Sequence, residues 1–160
     1  MSDALQTLTV AALVGAGLNA GVFFAYSTFT MQGLKRLAPA AGAEAMQEIN
    51  REAPRPPLML VMFGTAVLTT ALMVNAVGNI EETASVYHLV AGGLFLVGVI
   101  FVTGLYHVPR NNRLDRMDPA TGQGQRYWEI YLHQWVRMNH VRTIAPTVAA
   151  ALLAVSLIAG

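Results

Sequence analysis

Four long runs without a charged side chain dominate this chain of 160 residues. They contain 31, 25, 27 and 18 residues and cover positions 4–34, 56–80, 83–109 and 143–160. A helix that crosses a bilayer needs about 20 predominantly apolar residues. Only 12% of the residues are charged, about half the share of an ordinary soluble domain. The sequence therefore predicts an all-α integral membrane four-helix bundle that forms a single membrane domain over residues 1–160. The predicted spans are approximately 5–31, 57–79, 85–107 and 141–159.

The basic residues fall on one side of these spans. All ten Lys and Arg lie in two connections: Lys35, Arg36, Arg51 and Arg55 in the first, and Arg110, Arg113, Arg116, Arg126, Arg137 and Arg142 in the third. The opposite side carries Asp3, Glu81 and Glu82 but no basic residue. Because basic loops remain in the cytoplasm, we expect a protein of the cell (inner) membrane with both termini outside and both long loops cytoplasmic.

The two cytoplasmic connections differ in their patterns. Pro39 can open a short interfacial helix in the first loop, which ends at Ala53. Its apolar residues Ala43, Met46 and Ile49 would face the membrane, and its charged residues Glu44, Glu48 and Arg51 would face water. The other connection is rich in turn-forming residues, namely Pro109, Asn111, Asn112, Asp118, Pro119, Gly122 and Gly124. It predicts irregular structure until a helix resumes near Tyr127.

Small residues recur at four-residue intervals within the first span, as Gly17, Gly21 and Ala25. In the third span, Gly98 lies four residues after Leu94. Such spacing lets helix backbones approach each other closely. We expect ordinary packing within the bundle rather than a dimerisation motif.

Asn19 lies near the middle of the first run, and Phe23, Tyr26 and Thr30 share its helix face. An amide in the middle of a bilayer needs a hydrogen-bond partner. Asn19 either bonds a hydroxyl group on another span or contributes to a ligand site. The candidate hydroxyl groups belong to Thr69, Thr70 and Thr103.

The stretch from Arg126 to Arg142 predicts a helix with two unlike faces. One face is aromatic and amide-bearing, with Trp128, Leu132, Trp135, Asn139 and Arg142. The other face is cationic, with Arg126, His133, Arg137 and His140. Two interpretations stay open: an interfacial helix whose tryptophans join the aromatic belt of the membrane, or one wall of a small-molecule pocket. The pocket would also use the inner ends of the other spans, including Tyr26, Tyr106 and His107.

The remaining patterns do not predict a metal, cofactor or nucleic-acid site. His88 and His107 lie about 28 Å apart along one span at about 1.5 Å per residue. His107, His133 and His140 lack the spacing of metal ligands. The chain has no cysteine, no phosphate-binding loop and no nucleophile motif. A net charge of +1 gives no basic field for nucleic acid. We therefore expect no metal and no cofactor.

The chain carries four further segments of distinctive composition: GVFFAYSTFTMQGLKRLAP (21–39), MQEINR (46–51), HVPRNNRLDRMDP (107–119) and W..YLHQWVRMNHVRTIA (128–145). Their order and spacing resemble the anthrone-oxygenase-like family of small four-helix membrane proteins, over roughly residues 10–155. The resemblance implies a membrane four-helix fold. For some members it also implies oxidation of anthrones to anthraquinones by molecular oxygen without an organic cofactor. Residue by residue, it points to Met46, Gln47, Asn50, Pro109, Asn111, Asn112, Leu114, Trp135, Asn139 and Arg142. Gln32 departs from the family pattern, in which proline is common at this position.

Such a reaction would use the substrate's own electrons, because an anthrone is acidic at the carbon opposite its carbonyl group. His107 or His140 would remove the proton, and Arg142, with Asn139 or Asn112, would hold the resulting oxyanion. The bilayer would supply the apolar aromatic substrate and dissolved O₂. The catalytic candidates are therefore His107, His140 and Arg142. The substrate-binding candidates are Asn19, Phe23, Tyr26, Asn50, Asn111, Asn112, Trp128, Trp135 and Asn139.

Two other hypotheses belong to different functional classes. A non-enzymatic membrane protein would bind membrane lipid or a protein partner, and its amides and Arg142 would lock the loops onto the helices. A small transporter ranks last, because the four long runs carry no charged residue and show no broken inverted halves. Side chains that face a cavity would favour the enzyme, whereas side chains saturated by loop backbone would favour the locking role. The sequence makes no prediction of the oligomeric state.

Overall fold

The computed structural model describes residues 1–159, which form five α-helices and, within this range, no strand. The helices are α1 Asp3–Lys35, α2 Pro39–Glu52, α3 Pro56–Gly78, α4 Thr83–Asp115 and α5 Gly122–Ala159. The four longer helices are each long and apolar enough to cross a membrane. The chain is an all-α membrane four-helix bundle, as its charge-free runs predict.

The four long helices form a closed ring of neighbours. α5 packs against α1 and α4, and α3 packs against the same two helices. The core between them contains small and large apolar residues such as Ala12, Leu72 and Phe95, all fully buried. The outward faces are apolar as well, because Leu60 and Leu105 are 71% and 77% exposed. Apolar surfaces of this extent are rare on proteins that face water and are typical of helices that face lipid.

Helix α2 confirms the short helix that the sequence predicts in the first long loop. Its apolar face, however, does not contact the partner that was predicted for it. Pro39 occupies its first turn, where a missing N–H group has no cost. Ala43 and Met46 are buried, and they belong to the same apolar cluster as Leu114 and Trp128. The apolar face of α2 therefore packs on α4 and α5, and the expectation that it faces the membrane is wrong.

The prediction of irregular structure after Pro109 is also wrong, because α4 continues to Asp115. Asn111 and Asn112 are consequently helical. Two π-helical turns, Leu96–Phe101 and Thr103–His107, lie just before the proline. A helix that is already widened can accommodate a residue that lacks an N–H donor. The proline therefore marks a distortion within α4 and not its end.

Helix α5 begins at Gly122 instead of near Tyr127. The Thr121 side-chain oxygen accepts a hydrogen bond from the Gly124 amide at 3.1 Å, which is the geometry of a helix N-cap. The Asp118 carboxylate accepts a hydrogen bond from the Ala120 amide at 2.9 Å and closes the preceding turn. These two local bonds start the helix five residues earlier than its hydrophobic pattern indicates.

The glycines differ in what surrounds them. A Cβ atom at Gly98 would collide with the Ala145 side chain, so α4 and α5 pack backbone to side chain at this point. A Cβ atom at Gly17 or Gly21 would meet nothing within 4 Å. Close packing within the bundle therefore involves Gly98, whereas Gly17 and Gly21 lie on the outer surface of α1.

We expect Gly98→Val to destabilise the bundle, because the larger side chain cannot fit without separating α4 from α5. Overpacking of this kind costs about 1–3 kcal/mol. Thermal unfolding of the detergent-solubilised protein measures the effect, and Gly17→Val is the matched control on an open surface. Equal melting temperatures for the two variants would contradict the packing role of Gly98.

Candidate functional site

The two predicted faces of α5 are present. Trp128, Trp135, Asn139 and Arg142 are all buried, and their exposed fractions do not exceed 8%. Those on the opposite face, Arg126, His133, Arg137 and His140, are exposed. The aromatic face of α5 points into the bundle, where it meets α1, α2 and α4.

Arg142 is a buried cation that has no polar partner among residues 1–159. Its guanidinium group lies over the Phe23 ring at 3.9 Å and 6.0 Å from the Trp135 ring. Within residues 1–159 no carboxylate forms an ion pair with it, and its buried Nε atom has no hydrogen-bond partner. A charge inside a membrane protein normally pairs with another group. Arg142 therefore offers unused donors to an anionic or carbonyl oxygen.

His107 lies beside the same tryptophan and is 1% exposed. Its ring is nearly perpendicular to that of Trp135 at a centroid distance of 4.9 Å, and the Tyr106 ring lies at a centroid distance of 5.6 Å. The Met138 carbonyl group faces the ring, but neither ring nitrogen forms a hydrogen bond of normal geometry with a described residue. The ring nitrogens are thus available to a bound molecule. The π-helical turn Thr103–His107 positions this side chain.

Asn139 joins α5 to α1 and does not point its donor toward the site. Its Nδ2 atom donates to the Phe23 carbonyl oxygen at 2.7 Å and to the Ser27 hydroxyl oxygen at 2.9 Å. Because a carbonyl group can only accept, these bonds fix the orientation of the amide. The buried Oδ1 atom has no partner among the residues described. Asn139 can therefore accept a hydrogen bond in the site but cannot donate one to an oxyanion.

Asn19 makes different bonds from those expected. Its Nδ2 atom donates to the Gly15 carbonyl oxygen at 2.9 Å and approaches the Val61 carbonyl oxygen at 3.5 Å. Thr69 instead bonds within its own helix, at 2.9 Å to the Thr65 carbonyl oxygen. Of the two alternatives for Asn19, a bond to a threonine hydroxyl is wrong within residues 1–159, because the amide donates to carbonyl oxygens on α1 and α3 and its Oδ1 atom has no partner.

The amides near the ends of the helices lock the two long loops together. Asn111 Oδ1 accepts hydrogen bonds from the Tyr131 hydroxyl at 2.8 Å and from Trp135 Nε1 at 3.2 Å. Gln47 Nε2 donates to the carbonyl oxygens of Leu114 and Met117, each at 2.9 Å. These bonds match the locking role, whereas His107 and Arg142 have no such bonds. The amides Asn111 and Gln47 thus have bonded partners, and in this they differ from His107 and Arg142.

We expect Asn111→Ala to destabilise the protein, because the buried Tyr131 and Trp135 donors would lose their acceptor. A buried donor without a partner costs about 1–3 kcal/mol. Thermal unfolding and tryptophan fluorescence measure the change. The adjacent, exposed Asn112 provides the control, and an equal effect of Asn112→Ala would contradict a specific role for Asn111.

Four predicted residues lie away from Arg142 and His107. His140 and Asn112 are exposed. Asn50 approaches the Asp115 carboxylate at 3.5 Å. Trp128 stacks on Tyr131 at 5.8 Å. The structure thus brings together Phe23, Tyr26, His107, Trp135, Asn139 and Arg142 from the predicted set.

An open groove of about 590 Å³ runs alongside this cluster, between α1, α2 and α3. Asn19 and Tyr26 line it, with apolar walls and two carboxylates, Glu48 and Glu52, at its polar end. The Tyr26 ring is half-buried and lies 5.8 Å from the Trp135 ring. Tyr26 therefore belongs both to the groove and to the buried cluster.

Two residues of the site were not selected from the sequence. Tyr131 lies three residues after Trp128 and four before Trp135, so helical spacing places it on the same face. Ser27 follows Phe23 by four residues and accepts the Asn139 bond. Helical periodicity places both residues on the faces that form the site, but their residue types alone do not indicate a functional role.

The histidines do not form a metal centre in the described chain. His107 is buried on the Trp135 side of α5, whereas His133 and His140 are exposed on its other face. His88 lies elsewhere in the bundle, with its Nε2 atom 3.2 Å from the Thr9 hydroxyl and 3.1 Å from the Ser156 hydroxyl. No group of three or more His, Asp or Glu side chains within residues 1–159 could hold a metal ion.

Comparison with known proteins identifies a family for this chain. A family model described as anthrone oxygenase matches residues 58–152, which is more than half of the chain. This range contains Trp135, Asn139 and Arg142 as well as His107 and Asn111. No curated protein and no solved structure matches the chain significantly.

Proposed function

The chain belongs to the anthrone oxygenase family, and we propose that it oxidises an apolar, planar substrate of the anthrone type with O₂ in the membrane. The observation that carries the proposal is the unpaired, buried Arg142 guanidinium beside the unbonded His107 ring. A structural arginine would be bonded to loop carbonyl groups, as Gln47 is. Donors that are buried without partners are costly and are typical of sites that receive a ligand.

The groove beside Tyr26 is where we propose that the substrate enters. Its volume of about 590 Å³ lies within the range of small-molecule sites, roughly 300–1,000 Å³. Its apolar walls suit a planar aromatic molecule that dissolves in lipid. Because His107 and Arg142 are buried, the Tyr26 side chain must rotate for the substrate to reach them. Trp135 and Phe23 would then contact the faces of the rings.

The chemistry proposed for these residues is a base-assisted oxidation. A ring nitrogen of His107 takes a proton from the acidic carbon, and the electron pair moves toward the carbonyl oxygen. The Arg142 donors stabilise the negative oxygen that results. The electron-rich carbon reduces O₂ and binds it, and the returned proton gives a hydroperoxide. Loss of one water molecule leaves the second carbonyl group, so one anthrone and one O₂ give one anthraquinone and one water.

Hydrogen bonding and burial favour one of the three residues proposed to hold the oxyanion. Asn139 has no free donor, because both bonds from its Nδ2 atom go to α1. Asn112 is exposed on the last turn of α4. Among these three candidates for the oxyanion role, Arg142 therefore combines burial with an unused donor.

Oxygen uptake by the purified protein, given emodin anthrone in detergent or lipid nanodiscs, tests the proposed function. We expect uptake above the spontaneous rate, with one anthraquinone formed for each O₂ consumed. A metal analysis and an absorption spectrum of the same sample identify any redox group that co-purifies. Absence of uptake in well-folded protein would overturn the proposal.

A non-catalytic binding protein is the second candidate function, because Gln47 and Asn111 form hydrogen bonds with loop and helix groups. Such a protein would bind the anthrone without consuming oxygen. Quenching of tryptophan fluorescence by the anthrone under anaerobic conditions measures binding alone. Binding without turnover in air would favour this candidate over the oxygenase.

We further propose that both termini lie outside the cell membrane and that both long loops, between α1 and α3 and between α4 and α5, lie in the cytoplasm, as the positive residues indicate. The chain has no cysteine, so single cysteines report on topology without background. In intact spheroplasts we expect a membrane-impermeant maleimide to label Glu81→Cys but not Asn112→Cys. Lysis should make both positions reactive, and the reverse pattern would contradict this orientation.

A further inference from the structure

Two neighbouring cavities follow the contact between α1 and α5 on the outer face of the bundle. The larger has a volume of about 510 Å³ and lies between the end of α1, the start of α2 and the first half of α5. The smaller has a volume of about 390 Å³ and lies further along the same two long helices. His140 lines both cavities. We call the two cavities together the α1–α5 groove.

The larger cavity has a basic rim over an apolar floor. Lys35, His133, Arg137 and His140 are exposed around it, against one carboxylate, Glu129. The ion pairs within residues 1–159 join Glu48 to Arg51 and Glu52 to Arg55. Lys35 and Arg137 therefore have no acidic partner in the part of the chain described. The floor is formed by buried Met31 and Trp128.

The smaller cavity is apolar although it contains threonines. Phe24, Ile144 and Val148 line it. The hydroxyls of Thr28 and Thr147 donate to carbonyl oxygens of their own helices, each at 2.7 Å. Their protons are thus already used, and the methyl groups remain to contact a ligand. The groove is cationic at one end and apolar along the rest of its length.

We propose that the α1–α5 groove binds an anionic phospholipid. The phosphate would pair with Lys35 and Arg137 at the membrane surface, and one acyl chain would lie along the smaller cavity. Basic pockets between membrane helices on the cytoplasmic side bind anionic headgroups in this way. A neutral anthrone would leave the basic groups unused, and Arg142 lies on the other face of α5. Neither His107 nor Arg142 lines the groove, so the lipid site differs from the proposed oxygenase site, although Ser27 borders both.

Native mass spectrometry of the full chain in detergent tests this proposal, with phosphatidylglycerol and phosphatidylcholine of the same acyl chains added at equal concentrations. We expect phosphatidylglycerol to be retained preferentially. The double variant Lys35→Gln/Arg137→Gln should lower its retention about 30-fold. Arg116→Gln/Arg126→Gln removes the same charge from exposed arginines that do not line the groove and should leave retention unchanged.

A second measurement on the same proteins is the melting temperature of delipidated samples titrated with phosphatidylglycerol. It should rise in the wild type and in the Arg116/Arg126 control but not in the groove variant. Equal retention of the two lipids, or equal losses in the two double variants, would overturn the proposal. Displacement of the lipid by millimolar glycerol phosphate would also overturn it, because the rim would then bind a soluble phosphate compound.

Discussion

Replacing Arg142 by methionine is expected to abolish anthrone-dependent oxygen uptake without lowering the stability of the protein. Loss of one donor that stabilises a developing oxyanion typically reduces the rate by about 10²- to 10³-fold. Arg142 is 8% exposed, and its guanidinium group has no ion pair within residues 1–159. Methionine fills a similar volume and removes a buried charge that the described residues do not compensate. We therefore expect oxygen uptake at the spontaneous rate and a melting temperature equal to or above that of the wild type.

The combination of these two results distinguishes a catalytic from a structural arginine. If Arg142 mainly stabilises the fold through the Phe23 ring, at 3.9 Å, its loss should lower the melting temperature by the equivalent of about 0.5–2 kcal/mol. Arg126→Met, on the exposed face of the same helix, is the control and should retain full activity. An active Arg142→Met protein would exclude the proposed oxyanion role.

The fold was largely predictable because two strong patterns determine it. The charge-free runs predict the four long helices, and they are found. Pro39 and the prolines from Pro54 onward predict the bounds of α2 to within one residue. The helical end of α4 was missed because the π-helical turns before Pro109 depend on packing between helices. The Thr121 cap was missed because a single side-chain bond sets the start of α5.

The sequence predicts which face of α5 forms the candidate site. It does not predict which polar groups of that face are free to bind a ligand. Periodicity separates Arg142 and Trp135 from His140, since these positions differ in angle around α5. It does not show which polar groups are already bonded. Asn139 and Arg142 carry similar donors in the sequence, yet the donor of Asn139 is used by Phe23 and that of Arg142 is free. Hydrogen-bond partners on other helices decide this difference, and local sequence does not contain them.

His107→Phe is expected to stop proton removal from the substrate while the fold remains intact. Phenylalanine keeps the edge-on contact with Trp135, which lies 4.9 Å away, and removes both ring nitrogens. Loss of a general base reduces the rate by about 10²- to 10⁴-fold. Anaerobic exchange of the acidic hydrogen of the anthrone with D₂O isolates this step, because no oxygen is present to react. Wild-type protein should accelerate the exchange above its spontaneous rate, and the variant should not.

His140→Ala decides between the two histidines that the sequence left open as the base. His140 is exposed on the face of α5 opposite Arg142, so we expect the variant to catalyse both exchange and oxygen uptake at close to the wild-type rate. Arg142→Met should also slow the exchange, because the enolate that forms would lose its stabilising cation. Exchange at the wild-type rate in His107→Phe would remove this residue from the mechanism. Loss of exchange in His140→Ala would instead show that the site forms on the outer face of α5.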